Sequence, residues 1–238
     1  MRAATQTVKV YATPPQPCSY LAGRLAANAF IDPTFTPGPE AYQILIDQGY
    51  RRSGEHLYRP TCPDCHDCLS CRVPTATFQP NRSQRRCWRK NADLDVTLQP
   101  AGFSDEAFAL YTRYLNARHG DGDMANPDEE SFRGFLWCDW SDTRFIHFRL
   151  DGRLVGVAVV DRLPRGYSAV YTFFDPDLAS RGLGTYAVLW ELEHARLEGL
   201  PFVYLGYWIA ESRKMQYKSR FRPLEVLENG VWRPHTSE

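Results

Sequence analysis

The chain has 238 residues, 43% of them hydrophobic, with 28 basic and 28 acidic residues. This composition allows one large domain or two small ones, and it favours a folded chain with a hydrophobic core over an intrinsically disordered one. No apolar run approaches the roughly 18 residues of a membrane helix, and residues 1–10 lack the apolar core of a signal peptide. We therefore expect a soluble cytoplasmic protein.

The first half of the chain predicts one helix and one hairpin. Residues 12–39 are rich in proline and glycine, which is typical of irregular structure. Pro39 then begins a short helix that Gly49 can cap. The Ser53-Gly54 pair predicts a hairpin between two short strands.

The second half predicts two helices, three antiparallel strands, a glycine turn, a helix and a further strand. Ser104 is suited to cap the first helix, and Asn126-Pro127 to begin the second. The strands are expected at residues 145–150, 154–160, 167–174 and 202–209, and the long helix at about 185–198. Asp151-Gly152 and Asn229-Gly230 are hairpin signals.

The glycine turn, Arg181-Gly182-Leu183-Gly184, leads into the predicted long helix. A helix amino terminus presents free backbone N–H groups and suits a phosphate. The turn has the R-x-x-G core of the acyl-donor loop in GNAT acyltransferases, although such a turn is also a common tight connection. Tyr186 stands where that motif usually continues with a small residue, which argues against a standard acetyl-CoA cradle and allows another donor.

Eleven of the 28 basic residues lie in two acid-free segments, residues 69–92 and 213–222. They are Arg72, Arg82, Arg85, Arg86, Arg89, Lys90, Arg213, Lys214, Lys218, Arg220 and Arg222. Two such segments on an otherwise acidic chain indicate a localised site for a polyanion. Two solvated surfaces are the alternative interpretation.

Four cysteines, Cys62, Cys65, Cys68 and Cys71, recur at a constant spacing of three. Thiolates at this spacing can bind zinc or an iron–sulfur cluster. Three of them together with Cys18 would serve equally well, and thiols without a metal are the alternative.

The chain resembles the bacterial arginyl/leucyl-tRNA–protein transferase family, most closely its leucine-transferring branch. The matching stretches are residues 18–24, 58–60, 82–86, 90–93, Arg118-His119-Gly120-Asp121-Gly122-Asp123-Met124, 169–176, 204–209 and 214–218. The resemblance implies an α+β fold: a GNAT-like domain at 99–238, with a mixed, mostly antiparallel sheet flanked by helices, and a smaller cysteine-bearing N-terminal domain at 1–98. Leu21 stands where eukaryotic arginyl relatives have a second cysteine, so their metal ligands are not carried over.

The family activity would be transfer of leucine from leucyl-tRNA to the α-amine of proteins that begin with Asp or Glu, marking them for degradation. An arginyl donor is the nearest alternative, followed by an acetyl-CoA-dependent acetyltransferase and by a zinc-containing RNA-binding protein without enzymatic activity. We expect a monomer that needs no cofactor for transfer.

Residue roles follow from this chemistry. Tyr171, Tyr207 or Tyr217 could relay a proton to the leaving ribose oxygen, although each could equally be a core ring. The candidates for the acidic acceptor residue are Arg72, Arg85, Lys214 and Lys218. The tRNA would be bound by the same basic segments, including Arg82, Arg86 and Lys90, and by the turn residues Arg181, Gly182 and Gly184.

Overall fold

The computed structural model describes residues 7–119 and 126–236, so most of the glycine-rich part of the 118–124 stretch lies outside it. Within these residues the chain forms fourteen strands, five α-helices and two 3₁₀ helices. The strands are β1 (Val10–Ala12), β2 (Gln16–Pro17), β3 (Leu25–Ala26), β4 (Asn28–Ile31), β5 (Arg51–Ser53), β6 (His56–Pro60), β7 (Leu69–Pro74), β8 (Asp95–Pro100), β9 (Thr143–Leu150), β10 (Arg153–Leu163), β11 (Gly166–Phe174), β12 (Phe202–Trp208), β13 (Glu225–Glu228) and β14 (Val231–Pro234). The helices are α1 (Pro39–Asp47), α2 (Arg82–Lys90), α3 (Asp105–His119), α4 (Glu129–Leu136) and α5 (Leu183–Leu197), with 3₁₀ helices at Pro176–Arg181 and Gln216–Arg220.

An eight-stranded sheet dominates the structure, with the strand order β14-β13-β7-β12-β11-β10-β9-β8. All neighbouring pairs are antiparallel except β11 and β12, which run parallel. The expectation of an α+β fold with a mixed, mostly antiparallel sheet is therefore confirmed. A second sheet has four strands in the order β1-β4-β6-β5.

The predicted boundary at residue 98 does not coincide with a division of the sheets. Strand β7 precedes that boundary and β8 spans it, yet both belong to the large sheet, and β7 lies between β13 and β12. We therefore do not retain the boundary as a structural one.

The hairpins form where the sequence predicts them. Asp151 and Gly152 both have positive φ, at 49° and 79°, and so do Asn229 and Gly230, at 50° and 76°. Two consecutive residues with positive φ are typical of the two-residue turn whose twist matches that of its strands. The hairpin at Gly54 joins β5 and β6.

The helices begin near their predicted capping residues, except that α4 begins later than predicted and α2 was not predicted. The Ser104 hydroxyl accepts a hydrogen bond from the backbone N–H of Ala107 at 3.2 Å. Helix α4 begins at Glu129 with Asp128 as its cap, two residues beyond the predicted Pro127. Helix α2 lies in the first basic segment and was not predicted; a reciprocal cap between Asn81 and Gln84 begins it.

Helices cover both faces of the large sheet. Strand β10 shows this, because its alternate residues point to opposite sides. Ala158 and Val160 belong to the core under α5, whereas Val157 and Val159 belong to the core under α3 and α4. None of the described helices is both long and apolar enough to span a bilayer.

A buried ion pair joins the hairpin β5–β6 to the large sheet. Arg52 binds Asp161 through two hydrogen bonds of 2.6 and 2.8 Å, and both side chains are fully excluded from solvent. The hydroxyls of Tyr42 and Thr143 each donate to the same carboxylate at 2.7 Å. Burial would raise the pKa of Asp161, but the charge of Arg52 and these hydrogen bonds hold it below its ordinary value.

The parallel pair β11–β12 is short and opens into a cavity. Pairing joins Gly166–Ser168 to Phe202–Tyr204 and then ends, and β12 has an irregularity before Gly206. Gly206 has a φ of 82°, and the guanidinium of Arg51 donates to the carbonyl oxygen of Ala169 at 2.6 Å. The strands therefore separate at the point where Arg51 enters.

Gly166 allows the parallel pairing, because a Cβ there would collide with the carbonyl oxygen of Phe202. We expect Gly166→Ala to push β12 away and to lower the free energy of unfolding by about 1–3 kcal/mol, as overpacking does. Urea unfolding measures this change. Gly102→Ala is the control, because a Cβ there meets no atom within 4 Å; equal stabilities of the two variants would contradict the prediction.

Candidate active site

A cavity of about 510 Å³, here called the central cavity, lies where β11 and β12 separate. Its lining includes six of the residues predicted for the site: Tyr171, Gly184, Tyr207, Lys214, Tyr217 and Lys218. They come from β11, α5, β12 and the segment after β12, which are far apart in the sequence. The fold therefore brings together the aromatic and the second basic candidates.

Two buried cations flank Gly206 at the edge of the central cavity. A Cβ placed on Gly206 would lie 3.6 Å from the Nη2 atom of Arg51 and 3.6 Å from the Nζ atom of Lys218. Lys218 is 6% exposed, and its Nζ donates to the carbonyl oxygen of Tyr207 at 2.5 Å. Burial, assisted by the charge of Arg51 and opposed by Cys71, lowers the pKa of Lys218 to about 8.

The central cavity is cationic. Arg118 stacks over the rings of Tyr114 and Phe174, and the exposed Lys214 also lines the cavity. Glu191 is the only acid among the described lining residues. The excess of positive charge suits an anionic ligand.

The three candidate tyrosines differ in what their hydroxyls can do. The Tyr207 hydroxyl lies 2.8 Å from the carbonyl oxygen of Gly49 and 3.2 Å from that of Tyr58, so its single proton is already used within the fold. We therefore do not retain Tyr207 as a proton donor. Burial raises the pKa of Tyr171 and of Tyr217, which keeps both hydroxyls protonated.

A second cavity of about 520 Å³, the turn cavity, lies at the amino terminus of α5. Gly182 caps this helix in the left-handed conformation, with a φ of 69°. Arg86, Lys90 and Arg220 line the turn cavity, and its lining shares Thr185 and Tyr217 with the central cavity. The helix terminus and these bases together suit a phosphate beside the central cavity.

Arg181 supports the turn rather than standing free. Its guanidinium makes two hydrogen bonds of 2.8 Å to the carboxylate of Asp93, just beyond α2. Lys90 donates to the carbonyl oxygen of Ser180 at 2.7 Å. The glycine turn is thus fastened to the end of α2.

Three other basic candidates lie outside both cavities. Arg72 is 9% exposed; it pairs with Asp47 and Glu225 and packs over the Trp232 ring, so its guanidinium is already used within the fold. Arg85 lines a separate cavity on another face of α2, and Arg82 is exposed on the same helix. We therefore do not retain Arg72 as a ligand-binding residue.

The five cysteines predicted as metal ligands divide into two groups. Cys18, Cys62, Cys65 and Cys68 line one cavity of about 430 Å³, the cysteine cavity, and burial together with the neighbouring thiols raises the pKa of Cys68 to about 12. Cys71 is instead buried in β7, with Lys218 and Arg51 as its charged neighbours. Among the described residues, no three His, Cys, Asp or Glu side chains are arranged to hold a metal ion.

Sequence reasoning missed Arg51 and Glu191. Arg51 is indistinguishable by residue type from its neighbour Arg52. Glu191 could have been found from its helical phase, because it follows Gly184 by seven residues and Val188 by three. These spacings place it on the face of the helix that begins at the glycine turn.

A cationic cavity between separated strands, beside a helix amino terminus lined by bases, suits an enzyme that transfers a group from an anionic donor. The chain belongs to the arginine-tRNA-protein transferase family: the model of the family's amino terminus matches residues 16–86, and that of its carboxyl terminus matches residues 106–228.

The similar proteins include two named aspartate/glutamate leucyltransferases. That of Alcanivorax borkumensis is 49% identical over 227 residues, covering 95% of this chain and 94% of the relative. That of Marinobacter nauticus is 48% identical over 233 residues, covering 98% of each chain. A crystal structure of FemX aligns with a TM-score of 0.44 at 11% identity, covering 84% of this chain and 79% of that one.

Proposed function

We propose that this protein transfers leucine from leucyl-tRNA to the α-amine of proteins that begin with Asp or Glu. The observation that carries the proposal is the central cavity, which offers buried cations for an acidic acceptor and adjoins a phosphate site for the donor. The names of its relatives, aspartate/glutamate leucyltransferases, support leucine as the transferred group and the same acceptors.

The donor end of the tRNA approaches through the turn cavity. Its last phosphates bind the free N–H groups of α5 with Arg86 and Lys90, and the aminoacyl ester passes Tyr217 into the central cavity. Val188 and Leu205 supply apolar surface there for the leucine side chain. The GNAT-like turn is in this view reused for a nucleic-acid donor.

The acceptor presents its acidic first residue to Arg51 and Lys218. A carboxylate between two buried cations gains charge-assisted hydrogen bonds, and a basic first residue would be repelled. In this proposal the acceptor α-amine then lies close to the ester.

The chemistry is aminolysis of an ester that is already activated. The amine nitrogen attacks the carbonyl carbon, and the bond to the ribose oxygen then breaks. We propose that Tyr171 and Tyr217, which line the central cavity and are both protonated, donate a hydrogen bond to the leaving oxygen. The enzyme mainly contributes orientation and charge stabilisation.

Cys18, Cys62, Cys65 and Cys68 share the cysteine cavity, and Cys71 does not. Thiolates bind zinc and iron–sulfur clusters, but these side chains are not arranged to hold a metal ion in this structure. Tyr20, Tyr58 and Tyr207 line both this cavity and the central one. We therefore assign no step to a metal or cluster, and we propose that the transfer itself requires no cofactor.

A charging experiment tests the proposal. tRNA charged separately with labelled leucine and labelled arginine is offered with peptides that begin with Asp, Glu, Lys or Arg. We expect label from leucyl-tRNA alone, and only on peptides that begin with Asp or Glu. Label from arginyl-tRNA would instead support the arginyl alternative, and label on basic-start peptides would contradict the acceptor assignment.

We also propose a cytoplasmic monomer that marks its acceptors for degradation.

The turn cavity leads to a salt-dependence prediction. Arg86→Ala should weaken binding of leucyl-tRNA several-fold and reduce the slope of log Kd against log salt concentration by about 1, as loss of one phosphate contact does. Binding titrations at several salt concentrations measure this slope. Arg133→Ala, which removes a cation paired with Glu129 outside both cavities, is the control; identical slopes for the two variants would exclude a phosphate contact at Arg86.

A further inference from the structure

Glu191 is buried against the central cavity without a partner. The residue is 1% exposed, and neither carboxyl oxygen has a hydrogen-bond partner within the described structure. Burying a carboxyl without a compensating hydrogen bond destabilises a fold, so such groups concentrate at functional sites. The position therefore needs a functional explanation.

The helix that carries Glu191 connects it to the donor site. Gly184, Thr185, Val188 and Glu191 form the face of α5 that lines the central cavity, and Gly182 at the start of this helix borders the turn cavity. A donor whose phosphates bind the helix terminus therefore has its ester on the side where the carboxyl lies.

The ionisable surroundings of Glu191 are mixed. Tyr217 interacts with it electrostatically, and Tyr114, Cys71 and Arg51 act on the same tyrosine from the other elements around the cavity. Lys218 completes the lining. Burial raises the pKa of Glu191 to about 8, close to that of a peptide α-amine, which is about 8. Matched proton affinities favour proton transfer between these two groups.

We propose that the Glu191 carboxylate is the base that takes the proton from the attacking amine, an inference that rests on the proposed function. As the C–N bond forms, one proton of the amine nitrogen passes to the carboxylate. When the C–O bond breaks, this proton passes to the ribose oxygen. The products are the peptide amide and the free 3′ end of the tRNA, and the carboxylate is regenerated.

The test compares Glu191→Gln with Glu193→Gln, whose carboxylate lies two residues further along and pairs with Arg196 at the surface. Single-turnover rates are measured with bound leucyl-tRNA and saturating Asp-start peptide between about pH 6 and 9.5. We expect Glu191→Gln to be about 100-fold slower near pH 7, the usual size of a general-base contribution. Because a carboxyl with a pKa of about 8 is mostly protonated below pH 8 and cannot then accept a proton, the deficit should widen as the pH rises through 8. A peptide titration should give a KM within about threefold of wild type, and Glu193→Gln should match wild type.

Two results would overturn the proposal: a Glu191→Gln rate within about threefold of wild type near pH 7, or a deficit that is the same at every pH. Because Glu191 has no partner to lose, Glu191→Gln should unfold no earlier than wild type. If it nevertheless fails to fold, Glu191→Asp should retain the wild-type pH profile at a reduced rate, and a changed profile would overturn the proposal. If the wild-type protein does not use leucyl-tRNA, the proposed function itself is wrong. If wild type and Glu191→Gln are both active, only the assignment of Glu191 as the base is wrong.

Discussion

Lys218→Met should reduce kcat/KM for an Asp-start peptide by about 100-fold or more. Loss of one partner of a buried charge pair costs about 2–5 kcal/mol, and each 1.4 kcal/mol corresponds to about tenfold in rate or affinity. Methionine preserves most of the side-chain volume but removes the cation that is proposed to bind the acceptor carboxylate. Steady-state kinetics with the peptide varied and leucyl-tRNA saturating measures the effect.

The tRNA side of the reaction provides the internal control for Lys218→Met. Its affinity for leucyl-tRNA should change by no more than about threefold, because Lys218 does not line the turn cavity. Lys9→Met, a change at an exposed lysine, should leave both substrates unaffected. An equal loss of affinity for tRNA and peptide would instead mean that Lys218 supports the whole cavity rather than the acceptor.

The lowered pKa of Lys218, about 8, gives this site a pH dependence of known sign. The ammonium is protonated below pH 8, so affinity for acidic peptides should be constant there and fall as the pH rises through 8. Lys218→Arg should remove this decline because a guanidinium stays charged.

Arg52→Ala should lower the free energy of unfolding by about 3–5 kcal/mol, a large part of the total stability of a typical domain. The change would leave the Asp161 carboxylate buried with only the Tyr42 and Thr143 hydroxyls as hydrogen-bond donors. Urea unfolding monitored by circular dichroism measures the loss.

Two further variants separate the buried charge from general packing. Arg162→Ala removes a partly exposed pair with Glu198 and should cost no more than about 1 kcal/mol. Replacing both members of the buried pair, by Arg52→Met with Asp161→Leu, should recover part of the stability lost in Arg52→Ala. If the double variant is less stable than either single variant, the isolated charge is not the cause.

Local signals predicted much of the second half of the chain. The two-residue turns and the cap of α3 depend on residues within a few positions of each other, so residue types such as Asp151-Gly152 and Ser104 were sufficient. The turn at Gly182 was found for the same reason. Phosphate binding at this turn remains a proposal. It depends on side chains of α2, whose position beside the turn cannot be seen in the local sequence.

Long-range placement could not be predicted in the same way. Consecutive strand residues point to opposite sides, so the Arg51 side chain lies at the cavity while that of Arg52 forms the ion pair with Asp161. The residue types do not show which arginine takes which position. The regular spacing of the cysteines hides the start of β7 at Leu69, which separates Cys71 from the other thiols. Arg72 was proposed from its position in a basic segment, but Asp47 and Glu225, which neutralise it, lie far away in sequence.

The position of β7 has a consequence for how the chain folds during synthesis. This strand pairs with β12 and β13. Residues 69–74 therefore cannot form these pairings until residues 202–208 and 225–226 have left the ribosome. Contacts of such sequence separation slow folding and leave strand edges exposed meanwhile. The candidate active site lies beside this pairing, so it is completed only after residue 226 has been made, and a chain that stops before that residue has no competent site.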